Sequence, residues 1–295
     1  MRILYGKDDK NIDVTELCLQ KMKFGDAILI PEKDNIRANY FTDPLPGIHK
    51  DIIIITNEKK YIIEENYSIN VNIVTEEVLL FDEKETEDKL RKIHSQLRIK
   101  YGSLMEEVPE QKMVIKYLTG SEKVLEIGGN IGRNSLVISK ILNEQSNLVT
   151  LESDINISKK LIENRNINNH SFFIEPSALS KRKLIQKDWD TKPSDKLETG
   201  YSWVDTINFE KLKKRYNINF DTLVLDCEGA FYYILQDMPE ILDNINKIIM
   251  ENDYFDISHY NFVQENLKKR DFKLNYRKGG GWGPCSDNFF EVWLK

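Results

Sequence analysis

Four short strings in the C-terminal half hold residue types whose chemistry depends on their spacing. The first is Glu126-Ile127-Gly128-Gly129-Asn130-Ile131-Gly132. Glycines there let the chain turn tightly and approach a ligand with its backbone. A helix after such a turn presents N–H groups and a positive dipole end that suit a carboxylate or phosphate. The second string ends at Glu152, 24 residues after Gly128. A carboxylate at the end of a second strand can accept hydrogen bonds from both hydroxyls of a ribose. The third is the D-x-E-G string Asp226–Gly229, and the fourth is Glu251-Asn252. These acids suit two tasks. Asp226, assisted by Glu228, can act as a general base toward a hydroxyl. Alternatively, Asp226, Glu251 and Asn252 can supply oxygen ligands to Mg2+ or Mn2+.

Other residues carry weaker chemistry. His259 opens an expected helix and is a third catalytic candidate, although a histidine there also serves as plain structure. Trp282 sits in the loop Lys278-Gly279-Gly280-Gly281-Trp282-Gly283-Pro284. Its flat apolar face could stack on a sugar ring, or pack on the protein surface. Glu228 could instead cap a helix beginning near Ala230. His49, His94 and His170 are scattered, and Cys227 reads as core.

These residues need a sheet to position them. From Glu122 onward short apolar strands alternate with helical patterns. Strands are expected at 123–128, 147–153, 171–177, 220–229 and 246–252, and late ones at 272–278 and 288–295. Helices are expected at 132–142, 157–166, 232–238 and 259–270. A polar stretch runs from Ser180 to Glu198. Such alternation predicts a parallel sheet covered on both faces. The last strand, reached through a short glycine-rich loop, is expected to be antiparallel. In an open α/β sheet, ligands bind beyond the carboxyl ends of the strands, where the four strings converge.

Upstream the pattern differs. Residues 1–84 contain short β-rich runs at Ala27–Ile30, Asp51–Thr56, Lys60–Glu65 and Ile69–Val74, with a turn at Asp43–Gly47. TNEKK and ENYS read as consecutive hairpin connections. This predicts a small β-rich or α+β domain. Residues 85–121 read as connecting helices, one ending near Gly102 and the next covering Glu110–Leu118 from Pro109. Residues 122–295 form the third segment.

Composition narrows the function. The 295 residues are 40% apolar and 31% charged, which suits a packed core and a polar surface. The net charge of −6 disfavours a non-specific nucleic-acid binder. Three dispersed cysteines form neither a disulfide framework nor a zinc motif, so a reducing, cytoplasmic setting is expected. No apolar stretch approaches a membrane span, and the first residues lack the apolar centre of a signal peptide.

The glycine loop also discriminates among ligands. A G-x-G-x-x-G loop makes room for a pyrophosphate, but Asn130 holds the central position here. Glu126 suits a cationic amino group better than a phosphate. A ligand with an ammonium, a carboxylate and a ribose is S-adenosylmethionine. Residues 122–295 resemble the class I S-adenosylmethionine-dependent methyltransferases, and more narrowly the FkbM type. The matching stretches are VLEIGGNIGRNSL, LESD, VDTINFEKL, FDTLVLDCEGAFYYIL, KIIMEN and FFEVW. YGSLMEEVPEQKM resembles methyltransferase domains of large DNA viruses, some of which act on capsid glycans. The family often has lysine where this chain has Val224, and aspartate where it has Glu126. Residues 1–105 lie outside the pattern.

The resemblance implies a Rossmann-like, seven-stranded α/β sheet. It implies that Glu126, Gly128, Asn130 and Gly132 hold the methionine part of the cofactor, with Asn134 beside them. Glu152 and Ser153 would face the ribose, and Ser177 and Ala178 the adenine. The expected activity is O-methylation of a hydroxyl on a sugar, nucleotide sugar or glycan, in the cytoplasm of a cell or viral host, or in a virion. A homodimer is one expected assembly. A nucleic-acid methyltransferase and a non-catalytic interaction module are the alternatives.

Overall fold

The computed structural model describes residues 1–188 and 190–295. The chain divides into two compact units, Met1–Asp88 with Leu274–Tyr276, and Lys89–Lys273 with Arg277–Lys295.

The first unit is α+β. It has two four-stranded antiparallel sheets and helices at Thr15–Lys21 and Asp34–Phe41. The isoleucine run at Asp51–Ile55 lies inside one sheet, and Ile52 and Ile54 join its buried core. TNEKK forms the expected hairpin, with Thr56 N–H donating to the Lys59 carbonyl at 3.0 Å. ENYS does not. Strand Lys60–Ile63 belongs to one sheet, whereas Tyr67–Asn72 pairs with Ala27–Ile30 and Val78–Asp82 in the other. A short polar connection is compatible with either outcome. The Lys50 ammonium is buried between Asp34 and Asp43 at 3.1 and 2.8 Å. Such pairing is what a buried charge requires.

The helix expected to end near Gly102 covers only Glu83–His94. Beyond it, Asn168 accepts from Arg98 N–H and Asn164 accepts from Lys100 N–H, both at 2.8 Å. Side-chain amides therefore satisfy backbone groups that a longer helix would have paired internally.

The second unit carries the large sheet. Its strands are β1 Val124–Ile127, β2 Leu148–Leu151, β3 Phe173–Glu175, β4 Thr222–Leu225, β5 Lys247–Glu251, β6 Lys273–Lys278 and β7 Phe290–Leu294. They lie in the order β3-β2-β1-β4-β5-β7-β6. The first five are parallel and β7 runs antiparallel to β5, as expected. This is the expected Rossmann-like, seven-stranded α/β arrangement. β1 and β4 are buried along their whole length, which explains their unbroken apolar runs.

Six helices accompany the sheet: α1 Val108–Tyr117, α2 Arg133–Ile141, α3 Ile155–Ile167, α4 Phe209–Tyr216, α5 Phe231–Asp237 and α6 Ile257–Lys269. Asp154, Asn208 and Asp256 cap α3, α4 and α6 by accepting first-turn N–H groups. The polar stretch after β3 holds structure that its composition hides. Leu184–Lys187 pairs antiparallel with Asp190–Pro193 and with Ser202–Val204. Among the described residues, no helix is long and apolar enough to cross a membrane.

Candidate active site

The turn after β1 is shaped by close backbone approach. Gly128 has φ +94°, and a Cβ there would lie 1.4 Å from the Asp226 carbonyl oxygen. Only glycine lets the β1 and β4 ends meet at this distance. Gly132 answers a different need, since its Cβ would lie 2.3 Å from Leu161 Cδ1 on α3. The loop's amides are already engaged. Gly128 and Gly129 N–H donate to the Leu151 carbonyl at 3.1 and 2.8 Å, and Asn130 N–H donates to Glu152 Oε2 at 2.8 Å. The anion cradle expected from this loop is therefore not offered by those three amides.

A cavity of about 680 Å3 opens beyond the strand ends. Gly128, Asn130, Glu152 and Ser153 line one part of it, with Ser177 and Ala178 beside them. Glu152 Oε1 also accepts from Asp154 N–H at 2.8 Å, which fixes the carboxylate at the end of β2. Burial pushes the Glu152 carboxyl above its ordinary range, and the Asp154 and Asn130 N–H groups oppose that. Ala178–Leu179 is held in a short parallel ladder with Thr206–Ile207, and Ala178 N–H donates to the Asp205 carbonyl at 2.9 Å. The VDTIN string thus backs Ala178 and Leu179, which line the cavity.

Three expected cofactor residues lie outside the lining. Glu126 is 2% exposed and sits beneath the loop, where it accepts a hydrogen bond from Ser135 Oγ at 2.5 Å. Burial pushes its carboxyl up to about 7, against the Ser135 and Thr150 hydroxyls. Its bond to Ser135 braces the start of α2 beneath the loop. Gly132 packs on α3, and Asn134 lies on α2 with its Oδ1 buried and without a partner among the described residues.

The carboxylates gather at the other part of the cavity. Asp226, Glu228 and Glu251 line it, joined by Glu107 and Glu110 from the start of α1. Asp226, Glu251 and Asp253 each place a carboxylate oxygen within 4.8 Å of the others. Burial first, then the charges of Glu107 and Asp253, pushes Asp226 well above the usual carboxylate range. Glu251 moves the same way through burial and a hydrogen bond with Glu110. Carboxyls crowded out of water hold protons until a cation arrives.

Asn252 does not join this group. Its Nδ2 donates to the Asn288 carbonyl at 2.6 Å, and its N–H to the Phe289 carbonyl at 2.7 Å. The β5 chain alternates sides, so the neighbouring Asp253 carries the third carboxylate. Asp253 Oδ1 also accepts from Gly229 N–H at 2.8 Å. That bond holds the turn in which Glu228 and Gly229 take φ +50° and +76°. Glu228 is not the N-cap of α5, a position taken by Ala230. His259 lies outside the lining and stacks on Tyr232, ring centroids 3.7 Å apart. Cys227 lines the cavity, and burial pushes its thiol well up, so it is held protonated. Trp282 reaches the cavity, with Phe255 at 4.5 Å between centroids.

Sequence reasoning missed Glu107, Glu110 and Asp253. The E-E-V-P-E string at Glu106–Glu110 was the available signal, three acids around a helix-start proline. Glu107 is tied to Arg133 at 2.6 Å and accepts from Asn130 Nδ2 at 3.3 Å.

Several solved structures are similar in fold. An O-methyltransferase from Bacillus cereus in complex with SAH is 15% identical, with a TM-score of 0.40 over 72% of this chain and 91% of that one. A methyltransferase from Pyrococcus furiosus is 13% identical, with a TM-score of 0.40 over 72% and 98%. A ribosomal protein L11 methylase from Lactobacillus delbrueckii subsp. bulgaricus is 9% identical, with a TM-score of 0.42 over 64% and 77%. No family model and no curated protein matches the chain. The architecture rests on the strand order itself.

Proposed function

We propose that this protein is an S-adenosylmethionine-dependent O-methyltransferase acting on a hydroxyl of a sugar or glycan. The observation that carries the reading is the single cavity running from Gly128 and Glu152 to Asp226 and Glu251. The residues present fit the cofactor. Glu152 offers a fixed carboxylate for a ribose, Ile157, Ala178 and Leu179 give an apolar wall for a base, and the acids suit a cationic tail and sulfonium. When bound, that cofactor supplies an electrophilic methyl group.

The chain's own contribution is alignment and proton handling. Methyl transfer is an in-line displacement, so holding the acceptor in place is a large part of the rate. A sugar hydroxyl is a poor nucleophile at neutral pH and needs a base. Asp226 lines the cavity and can take that proton once its own has left, with Glu228 on the adjoining turn. Asp226, Glu251 and Asp253 also suit a hard divalent cation such as Mg2+ or Mn2+, which prefers carboxylate oxygens. Asp253 is 3% exposed, and its Oδ2 is buried without a partner among the described residues, which suits such an ion. A bound cation there would stabilise the developing alkoxide.

The test is a transfer screen over free sugars, nucleotide sugars and glycans, with and without Mg2+ or Mn2+, read by mass spectrometry as one added methyl group. Methylation of RNA or DNA with no sugar product would contradict the reading.

A further inference from the structure

The ionisable side chains that line the cavity are almost all acids. Nine carboxylate side chains line it against one cationic residue, Arg182, and no lysine is among its described lining residues. Arg182 is already committed. Its Nε and Nη2 bond Asp237 at 2.6 and 2.7 Å, Nη2 reaches Gln236 at 3.2 Å, and its guanidinium lies 5.2 Å from the Tyr233 ring centroid. A phosphate would normally be met by an uncommitted arginine, a lysine or a row of free amides. The glycine-loop amides are engaged, as described above.

A second feature shows what the cavity would accept. Glu110 is 7% exposed and lines the cavity, and its Oε2 has no partner among the described residues. A buried carboxyl oxygen of that kind can accept from a hydroxyl or an ammonium. At the rim, Trp282 is 40% exposed and Phe255 82% exposed, an aromatic pair open to the apolar face of a sugar ring. Asp188 and Gln186 add polar groups from the small antiparallel sheet.

We infer that the acceptor is a phosphate-free glycoside, neutral or amine-bearing, and that nucleotide sugars and sugar phosphates are disfavoured because the described lining residues offer a phosphate no uncommitted cation. This deepens the sugar-methylation reading and rests on it. Electrostatic mismatch of this kind acts as selection against the wrong partner.

The whole 295-residue chain, first titrated with S-adenosylhomocysteine, is the sample for the test. Saturation-transfer NMR at low salt compares the methyl glycoside of one sugar, its 2-amino analogue and its 1-phosphate, over several sugars. The expected result is at least about tenfold weaker binding of the phosphate in every set. Asp237→Asn, which frees Arg182, should narrow that gap. Equal or tighter binding of the phosphate by the unaltered protein overturns the inference, and so does an absence of binding by every phosphate-free sugar. Failure of S-adenosylhomocysteine to bind would instead strike the cofactor reading. The sugar comparison would then be read on the free protein.

Discussion

Asp226 and Glu126 are both buried acids, yet their surroundings give them different work. Asp226 opens onto the cavity among other carboxylates, so its replacement should damage chemistry more than binding. Asp226→Asn is expected to lower turnover by about 100-fold or more while leaving S-adenosylhomocysteine affinity within about threefold. Steady-state kinetics and calorimetry on one sample would separate the two effects. Glu126 is buried outside the cavity lining, and its raised value near 7 is a stability statement. A carboxyl raised on folding contributes its full stability below its unfolded value and loses it as pH rises through the folded value. Thermal stability of the free protein should therefore fall between about pH 4.5 and pH 7, by about 3 kcal/mol from this group. Glu126→Gln should flatten that slope, and an unchanged slope in scanning calorimetry would contradict the assignment. Asp253 makes a third residue-scale prediction. Mn2+ must displace protons from its carboxylate cluster, so its affinity should rise as pH rises from 6 to 8. Asp253→Asn should weaken it about tenfold or more.

At the scale of elements, the turn after β1 is where the fold and the site depend on one position. Alanine at Gly128 would need a left-handed backbone and would press its Cβ against the Asp226 carbonyl. Gly128→Ala should cost about 3 kcal/mol or more of stability and weaken S-adenosylhomocysteine binding. Equilibrium denaturation would check the first part. This loop was legible in the sequence because its glycines, its flanking strand and its following helix all follow local rules. The alternating strands of residues 122–295 were legible for the same reason, and so was the antiparallel last strand. The elements that escaped were those decided by distant partners. Arg98 and Lys100 leave the helix because Asn168 and Asn164 take their N–H groups. Leu184–Lys187 finds partners in a stretch that reads as polar, since only Ile185 and its neighbours have an apolar face to bury. At the site, the D-x-E-G string and Glu152 were visible by spacing. Glu107 and Glu110 were not, because they precede the sheet by a whole helix. Asn252 was expected beside Asp226 and Glu251, but the structure gathers Asp253 with them, because successive residues of an extended chain point to opposite sides.

On the scale of the molecule, the seven-stranded sheet brings the four strings together at the tips of β1, β2, β4 and β5. Residues more than 120 positions apart thereby share one cavity. The acidity of that cavity matches the net charge of −6 and suits a cationic cofactor better than a polyanion. The central claim is that the crevice binds a sulfonium nucleoside. Isothermal calorimetry with S-adenosylhomocysteine tests it most directly. The account predicts one site per chain with a dissociation constant of about 1 to 100 μM, weakened by Glu152→Ala. Absence of heat at millimolar ligand, with the protein folded by circular dichroism, would contradict it.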